Sequence, residues 1–337
     1  MTSAIQTREL SRTYKSYVKP EGLKASLVGF FKRRYTVSEA LKPVTLDIPQ
    51  GQVVGLVGAN GAGKTTLIKL LAGLVHPTQG TASVLGFEPW RREPAYLRQI
   101  SILLGQKNQL WWDLPAADSF SLLAEIYGLD RQHVKKNWMS LAERLGCAHV
   151  LHTQLRRLSL GERMKMEIIG ALLQEPRILF LDEPTIGLDV MAQSAIREFL
   201  QEYAKSHSPT ILLTSHYMDD IAKLTERLLL ISKGSLVYDG TVTEFMQRSD
   251  LALRIHLTLE QPLAQTMDLG EGYYLTAGGR VFSVTVKKHH LPAVLGRITT
   301  LSGIQDLKME EDDFEDVIHR FLQTESRILP SGHTKSA

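Results

Sequence analysis

Cysteine is nearly absent from this chain of 337 residues: Cys147 stands alone. A single thiol cannot close an intrachain disulfide, so burial has to hold the fold, and a reducing compartment is the natural setting. Long apolar runs are missing as well. No stretch of about 18 uncharged apolar residues occurs, so no segment is expected to span a membrane. The opening MTSAIQTRELSR has none of the apolar core of a secretory signal. A strong excess of one charge is also lacking. The net charge of +3 is too small to imply a nucleic-acid partner. Heptads, internal repeats and low-complexity tracts are absent, which excludes coiled coils and solenoids. What is present is 43% hydrophobic and 22% charged, the composition of a soluble globular protein. The length suits a large domain plus a small one.

The charge that does exist is unevenly placed. Residues 12–34 hold Arg12, Lys15, Lys19, Lys24, Lys32, Arg33 and Arg34 against Glu21 alone. A solvated basic loop is the bland reading. The sharper one is a surface for anionic lipid headgroups or a membrane partner.

Around that insertion the pattern is strand-like. IQTREL reads as a first strand, ALKPVTLDI alternates, and QGQVVGLVG is a turn followed by a buried strand. GANGAGKTTLIKLLAGL is a glycine-rich loop opening a helix, with Leu67, Leu70, Leu71 and Leu74 at helical spacing. PTQGTASVLG and RQISILLGQ read as short strands, and residues 115–175 as mostly helical. RILFLDEP and TILLTSH are further apolar strands, followed by helices through AIREFLQEYAK and MDDIAKLTERL. LLLISKGSLVYDG is a hairpin turning at Lys-Gly. Apolar strands alternating with helices predict an α/β fold with a mostly parallel sheet covered on both faces. Beyond Arg248 and Ser249 the pattern starts afresh: LRIHLTL and RVFSVTV as strands, LPAVLGRITTL and DDFEDVIHRFLQ as helices. This predicts a small α+β appendage, and the tail SGHTKSA is expected to be disordered.

Three motifs carry chemistry. Gly58-Ala59-Asn60-Gly61-Ala62-Gly63-Lys64-Thr65 fits G-x-x-x-x-G-K-[ST], between an apolar strand and an amphipathic helix. Its glycines let the backbone wrap phosphates with N–H groups inward, and the helix N-terminus adds a positive dipole end. Lys64 is expected on the β- and γ-phosphates and the Thr65 hydroxyl on Mg²⁺. In Ile178-Leu179-Phe180-Leu181-Asp182-Glu183, a buried strand delivers two carboxylates to the edge where open α/β sheets bind ligands. Asp182 is expected to hold Mg²⁺ through water. Glu183, turned the other way by strand alternation, would polarise the attacking water. In Leu158-Ser159-Leu160-Gly161-Glu162-Arg163, Ser159 and Glu162 form an S-x-x-E capping box. That leaves Gly161 unexplained unless something approaches its backbone. A capped helix N-terminus is also an anion site.

This order of motifs resembles the ATP-binding-cassette (ABC) family over roughly residues 5–245. The resemblance implies a P-loop cassette over residues 1–248, with a mostly parallel sheet, an antiparallel β subdomain and a helical subdomain at about 107–175. Residues 249–325 would form the appendage and 326–337 the disordered tail. The family's LSGGQ signature contacts ATP held by the opposite subunit. Here it reads LSLGE, with Leu160 and Glu162 substituted and the phosphate-facing Ser159 and Gly161 kept. Thr66 joins the phosphate loop by the same resemblance. Gln106 matches the glutamine that senses Mg²⁺ and the attacking water, Asp189 the D-loop aspartate, and His216 the switch histidine. Tyr14 matches the aromatic that stacks on adenine, with Tyr17 and Tyr35 as competitors.

The remaining features are weaker. Cys147, His149 and His152 make a poor metal site. His289-His290 is expected at the surface. Glu310, Glu311, Asp312, Asp313, Glu315 and Asp316 are expected to open a solvated helix. Trp111 and Trp112 are either core or part of a groove for a membrane subunit.

The basic insertion, the stretch GQKNQLWWDL and the appendage resemble type-2 (daunorubicin-resistance-like) exporter ATPases. The resemblance implies ATP hydrolysis with Mg²⁺ in a head-to-tail dimer on the cytoplasmic face of the membrane. Separate permease subunits, of one or two kinds, would export a lipophilic or cationic drug. Lipid or polysaccharide export, or a soluble ABC ATPase without transport, are the alternatives.

Overall fold

The computed structural model describes residues 2–17, 35–105, 108–215, 217–248, 252–311 and 318. The basic stretch 18–34, Gln106, His216 and the expected helix beyond Asp312 lie outside these residues. The chain divides into two compact units, Met1–Thr241 and Val242–Ala337. The expected boundary at 248 falls inside the second.

The first unit opens with β1 (Ser3–Tyr17) and β2 (Tyr35–Pro49), paired antiparallel. Along β2, Val44, Leu46 and Ile48 are buried while Thr45 and Asp47 between them are exposed, the period-two pattern of a half-buried strand. After β3 (Val53–Val57) and α1 (Lys64–Leu71), β4 (Gln79–Val84) returns to the free edge of β1, giving the order β2-β1-β4. Leu67, Leu70 and Leu71 are buried, as their spacing predicts. Leu74 is not part of that stripe. The helix stops at Leu71, Gly73 takes φ +69°, and Leu74 lies exposed past the turn.

β3 belongs to a second sheet. The chain continues through α2 (Pro94–Leu97) and β5 (Ile100–Leu104). A helical block follows: α3 (Ala116–Tyr127), α4 (Arg131–Arg144) and α5 (Leu160–Leu172). Then come β6 (Ile178–Asp182), α6 (Val190–His207), β7 (Thr210–Thr214), α7 (Met218–Leu224), β8 (Arg227–Ser232) and β9 (Ser235–Thr241). The sheet order is β5-β6-β7-β3-β8-β9, parallel except for the β8-β9 hairpin. Every residue of β6 and β7 is buried. Continuous apolar runs of this kind are what a sheet covered on both faces requires. The helix expected through TERL ends at Leu224 instead, because Arg227 already pairs with Val54 of the central strand. Lys233 and Gly234 turn the hairpin with φ +47° and +80°, the two left-handed residues of a type I′ turn.

Cys147 follows α4 and is 1% exposed. Burial pushes its thiol up to about 11. Only the thiolate is nucleophilic, so the native chain is expected to resist maleimide at pH 8 and to label fully in urea. Rapid native labelling at pH 8 would contradict that burial.

In the second unit α8 (Val242–Arg248) precedes β10 (Ala252–Leu259), the hairpin β11 (Met267–Gly270) and β12 (Tyr273–Leu275), β13 (Val281–Lys287), α9 (Leu291–Ile298) and β14 (Ile304–Glu311). The order β13-β10-β14 is antiparallel. Ile255, Leu257 and Leu259 of β10 pack with Leu269, Leu275, Val286, Val294 and Ile298 in a core of their own. The acidic run therefore does not begin as a helix. Glu310 and Glu311 close β14, where Leu307 and Met309 sit opposite Leu257 and Ile255. Lys308 pairs with Glu310 at 2.7 Å. Period-two alternation in IQDLKMEE is the signal that the charges obscure.

Candidate nucleotide site

β3 delivers the phosphate loop to the C-terminal edge of the parallel sheet. The loop is wedged in place by close backbone approach. A Cβ on Gly58 would stand 2.1 Å from the Ile231 carbonyl oxygen at the end of β8. Gly63, the N-cap of α1, has φ +114°, and a Cβ there would lie 2.5 Å from the Ala40 carbonyl oxygen of β2. Only glycine fits these two positions. Thr66 lies within the first turn of α1. The side chain of Lys64 is buried, and its Nζ donates to the carbonyls of Gly58 at 2.6 Å and Ala59 at 3.2 Å. Burial lowers the ammonium pKa, while the charges of Glu183 and then Asp182 push it back up. Both acidic residues of the second motif therefore act on the lysine of the first.

The link between the two motifs is direct. Thr65 Oγ1 donates to Asp182 Oδ2 at 2.9 Å. Strands β3 and β6 are not neighbours; β7 lies between them. Its last residue, Thr214, bridges the gap by donating from Oγ1 to Asp182 Oδ1 at 2.7 Å. Each oxygen of a buried carboxylate thus meets a hydroxyl, which offsets the desolvation of the charge. Thr214 is also a residue that motif reading missed. Its position at the end of an apolar strand beside β6 was visible, but its partner was not.

The direction of Glu183 is not set by strand alternation. β6 ends at Asp182, so strand alternation no longer governs the next side chain. Glu183 has φ +58°, and its N–H donates to Thr214 O at 3.1 Å and to Thr214 Oγ1 at 3.0 Å. A left-handed turn held by β7 sets its direction. Such strained backbone at a strand end is common where function needs an aimed side chain. Gly105, which follows β5, allows this turn to close. Its N–H donates to Asp182 O at 2.8 Å, and a Cβ would meet Glu183 O at 2.5 Å.

The third motif forms the expected capping box at the start of α5. Ser159 Oγ accepts from Glu162 N at 3.2 Å, and Glu162 Oε2 accepts from Ser159 N at 2.9 Å. Ser159 Oγ also donates to Glu162 Oε2 at 2.8 Å, and this bond, followed by the one from Ser159 N, holds the Glu162 carboxyl below its ordinary range. Gly161 is explained by packing: a Cβ there would stand 2.8 Å from Ala192 Cβ, at the first turn of α6. Asp189 caps α6, accepting from Ala192 N at 2.9 Å. The N-termini of α5 and α6 are thus fitted against each other, with Ser159 and Asp189 as their caps.

Tyr14 sits on β1 opposite Ser38, two residues along β2 from Ala40. It therefore lies on the sheet that presses on Gly63. The Arg12 guanidinium covers one face of its ring at 4.6 Å. The side chains of Tyr17 and Tyr35 fall outside the described residues. Sequence reading also missed Asp220. Its side chain is 1% exposed and bonds Arg197 at 2.9 Å, Thr185 Oγ1 at 2.5 Å and Ser215 Oγ at 2.7 Å. This network fixes the loops that follow β6 and β7. His149 lies 3.7 Å from Glu162, and no cluster of three metal-binding side chains occurs among the described residues.

A glycine-wedged loop with a buried lysine, linked through hydroxyls to a strand-end aspartate, defines the class: a P-loop nucleotide-binding α/β protein. Residues 41–186 match the model of the ABC transporter family. The chain is 34% identical over 212 residues to the ABC transporter ATP-binding protein NatA of Bacillus subtilis, covering 63% of this chain and 86% of that one. It is 31% identical over 228 residues to the daunorubicin resistance ATP-binding protein DrrA3 of Streptomyces coeruleorubidus, covering 66% and 72%. A solved ATP-binding subunit of an ABC transporter superposes with TM-score 0.59 at 26% identity, over 73% of this chain and 92% of that one. This chain belongs to the ABC transporter family, as an ATP-binding subunit that hydrolyses ATP. No helix among the described residues is long and apolar enough to cross a membrane.

Proposed function

We propose that this subunit powers export of a lipophilic or cationic drug or toxicant through separate membrane permease subunits, working from the cytoplasmic face. The observation that carries the ATP chemistry is the Thr65–Asp182–Thr214 linkage, which ties the phosphate loop to the strand-end carboxylates. The export reading is supported by likeness to a protein named for daunorubicin resistance. In this reading the cassette is residues 1–248 and residues 249–325 are an accessory domain.

The oxygen donors of Thr65 and Asp182 suit Mg²⁺, a hard cation that favours such ligands. Mg²⁺ bound there, with Gln106 as a third candidate ligand, would neutralise phosphate charge. The chain's own residues do the rest. The loop from Gly58 to Thr66 binds phosphates with Lys64, and Tyr14 meets the adenine. Glu183 accepts a proton from the attacking water, and His216 braces the γ-phosphate. Ser159, Gly161 and Asp189 lie on the paired ends of α5 and α6, and we assign them to the ATP of a second copy, packed head to tail. Basic residues within 18–34 would lie along anionic headgroups.

Ser159→Ala separates capping from this role. Loss of the cap alone costs about 0.5–2 kcal/mol of stability. The two-copy reading adds a fall in turnover with ATP affinity of the monomer unchanged. Turnover that stays normal in the folded variant would leave Ser159 as a cap only.

The test of the whole reading is an affinity pull-down of this chain from detergent-solubilised native membranes, read by mass spectrometry. Recovery of one or two multi-span permeases is the expected result. Recovery of ribosomes or DNA-repair proteins without a permease would overturn transport and keep the ATPase.

A further inference from the structure

β7 runs apolar through Ile211, Leu212 and Leu213 and then ends on a hydroxyl. Thr214 is 0% exposed. On a strand covered on both faces, valine would have the same shape and no hydroxyl to desolvate. The hydroxyl is kept, and its bonds go to the acidic pair at the end of β6. Asp182 stands opposite Thr214 in the β6–β7 register, so the two side chains share one face of the sheet.

Chemistry fixes the polarity of these bonds. The Glu183 N–H can only donate, so Thr214 Oγ1 accepts from it, at 3.0 Å. An ionised carboxylate can only accept, so the one hydroxyl proton goes to Asp182 Oδ1, at 2.7 Å. Thr65 Oγ1 holds the other carboxylate oxygen at 2.9 Å, and the Gly105 N–H holds the Asp182 carbonyl at 2.8 Å. The carboxylate plane turns only by breaking one of the hydroxyl bonds. The same Thr214 oxygen steadies the left-handed turn at Glu183, φ +58°. One atom therefore touches both acids, the side chain of the first and the backbone of the second.

We propose that Thr214 is a positioning residue that sets the two acids relative to each other through this shared hydroxyl. The proposal rests on the reading above, in which Asp182 faces Mg²⁺ and Glu183 takes the proton of water. Without the hydroxyl, a carboxylate held by Thr65 alone can swing about that bond. The Glu183 N–H then keeps its bond to the carbonyl of residue 214, at 3.1 Å, and loses its second acceptor. Both acids are loosened by one change.

The full-length chain is compared with Thr214→Val, which keeps the shape and removes the hydroxyl, and Thr214→Ser, which keeps the hydroxyl. ATP binding in EDTA is read by calorimetry, Mn²⁺ binding in the presence of a non-hydrolysable ATP analogue by electron paramagnetic resonance, and turnover by phosphate release. In Thr214→Val, Mn²⁺ affinity and kcat are each expected to fall about 10–100-fold, the usual cost of losing a group that orients a metal-binding carboxylate. ATP binding in EDTA stays as in the native chain, and Thr214→Ser restores both losses. Unchanged Mn²⁺ affinity and turnover in Thr214→Val overturn the proposal. A fall in only one of them does so too, because the hydroxyl would then serve one acid. An equal fall of ATP binding in EDTA, or failure of serine to rescue, makes the residue a packing element and also overturns it. Asp182→Asn and Glu183→Gln are measured alongside. Normal Mn²⁺ binding in the first or normal turnover in the second defeats the reading of these acids, and the proposal with it. Losses in both controls without one in Thr214→Val defeat the proposal alone. Should Thr214→Val not fold, Thr214→Cys, whose thiol is a weak donor and a weak acceptor, replaces it under the same criteria.

Discussion

Glu183→Gln is expected to lower ATP turnover about 10²–10⁴-fold, the usual contribution of a general base, and to accumulate an ATP-bound dimer. The amide has the shape of the carboxylate, and the Glu183 N–H holds the left-handed turn at φ +58° through its bonds to Thr214. Asp182 keeps both of its hydroxyl partners. One further effect follows from charge. Glu183 is the larger of the two carboxylate influences that raise the Lys64 pKa against burial, so its neutralisation moves that pKa further down. Turnover by phosphate release and mass by size exclusion with Mg-ATP are the measurements. A variant that stays monomeric with ATP and hydrolyses it at the normal rate would remove Glu183 from the chemistry.

Asp220→Ala is expected to be strongly destabilising. Removing one partner of a buried ion pair costs about 3–5 kcal/mol, because the other charge is left uncompensated. Arg197 would be that charge, with a side chain 13% exposed. Thr185 Oγ1 and Ser215 Oγ would lose their acceptor as well. Because Thr185 follows the Glu183 turn and Ser215 follows Thr214, ATP turnover should fall in parallel. Urea unfolding gives the stability change. A loss below about 1 kcal/mol, the range of exposed pairs, would mean that water reaches the network. Asp220→Asn keeps acceptor oxygen for the hydroxyls and should lie between the two.

Glycine, lysine and strand-end acids were readable because their chemistry is local. A phosphate loop needs its glycines in sequence, and an apolar run of five residues names its own strand. The Ser159–Glu162 box was readable for the same reason: both bonds close within one turn. What could not be read depends on neighbours distant in sequence. Thr214 became important only because the sheet order places β7 between β3 and β6. The direction of Glu183 depends on where β6 stops, a boundary that hydrogen bonds to β7 decide. Gly161 invited a ligand explanation from its sequence position, and the structure adds a packing reason that sequence could not show, Ala192 of another helix. In the second unit, four acidic and basic residues among the eight of IQDLKMEE hid a strand whose partner lies about fifty residues earlier.

The central place of β3 has a consequence during synthesis. Val53 pairs with Ile211 and Val54 with Arg227. The strand that carries the phosphate loop emerges early and has neither sheet neighbour until the far end of the first unit has been made. At the usual 5–20 residues per second that wait is on the order of ten to thirty seconds. Throughout it, VVGLV is an apolar strand with both edges open, the kind of segment prone to pairing with other chains. A nascent chain stopped before Thr210 would therefore contain every residue of the loop and still lack the sheet that shapes it.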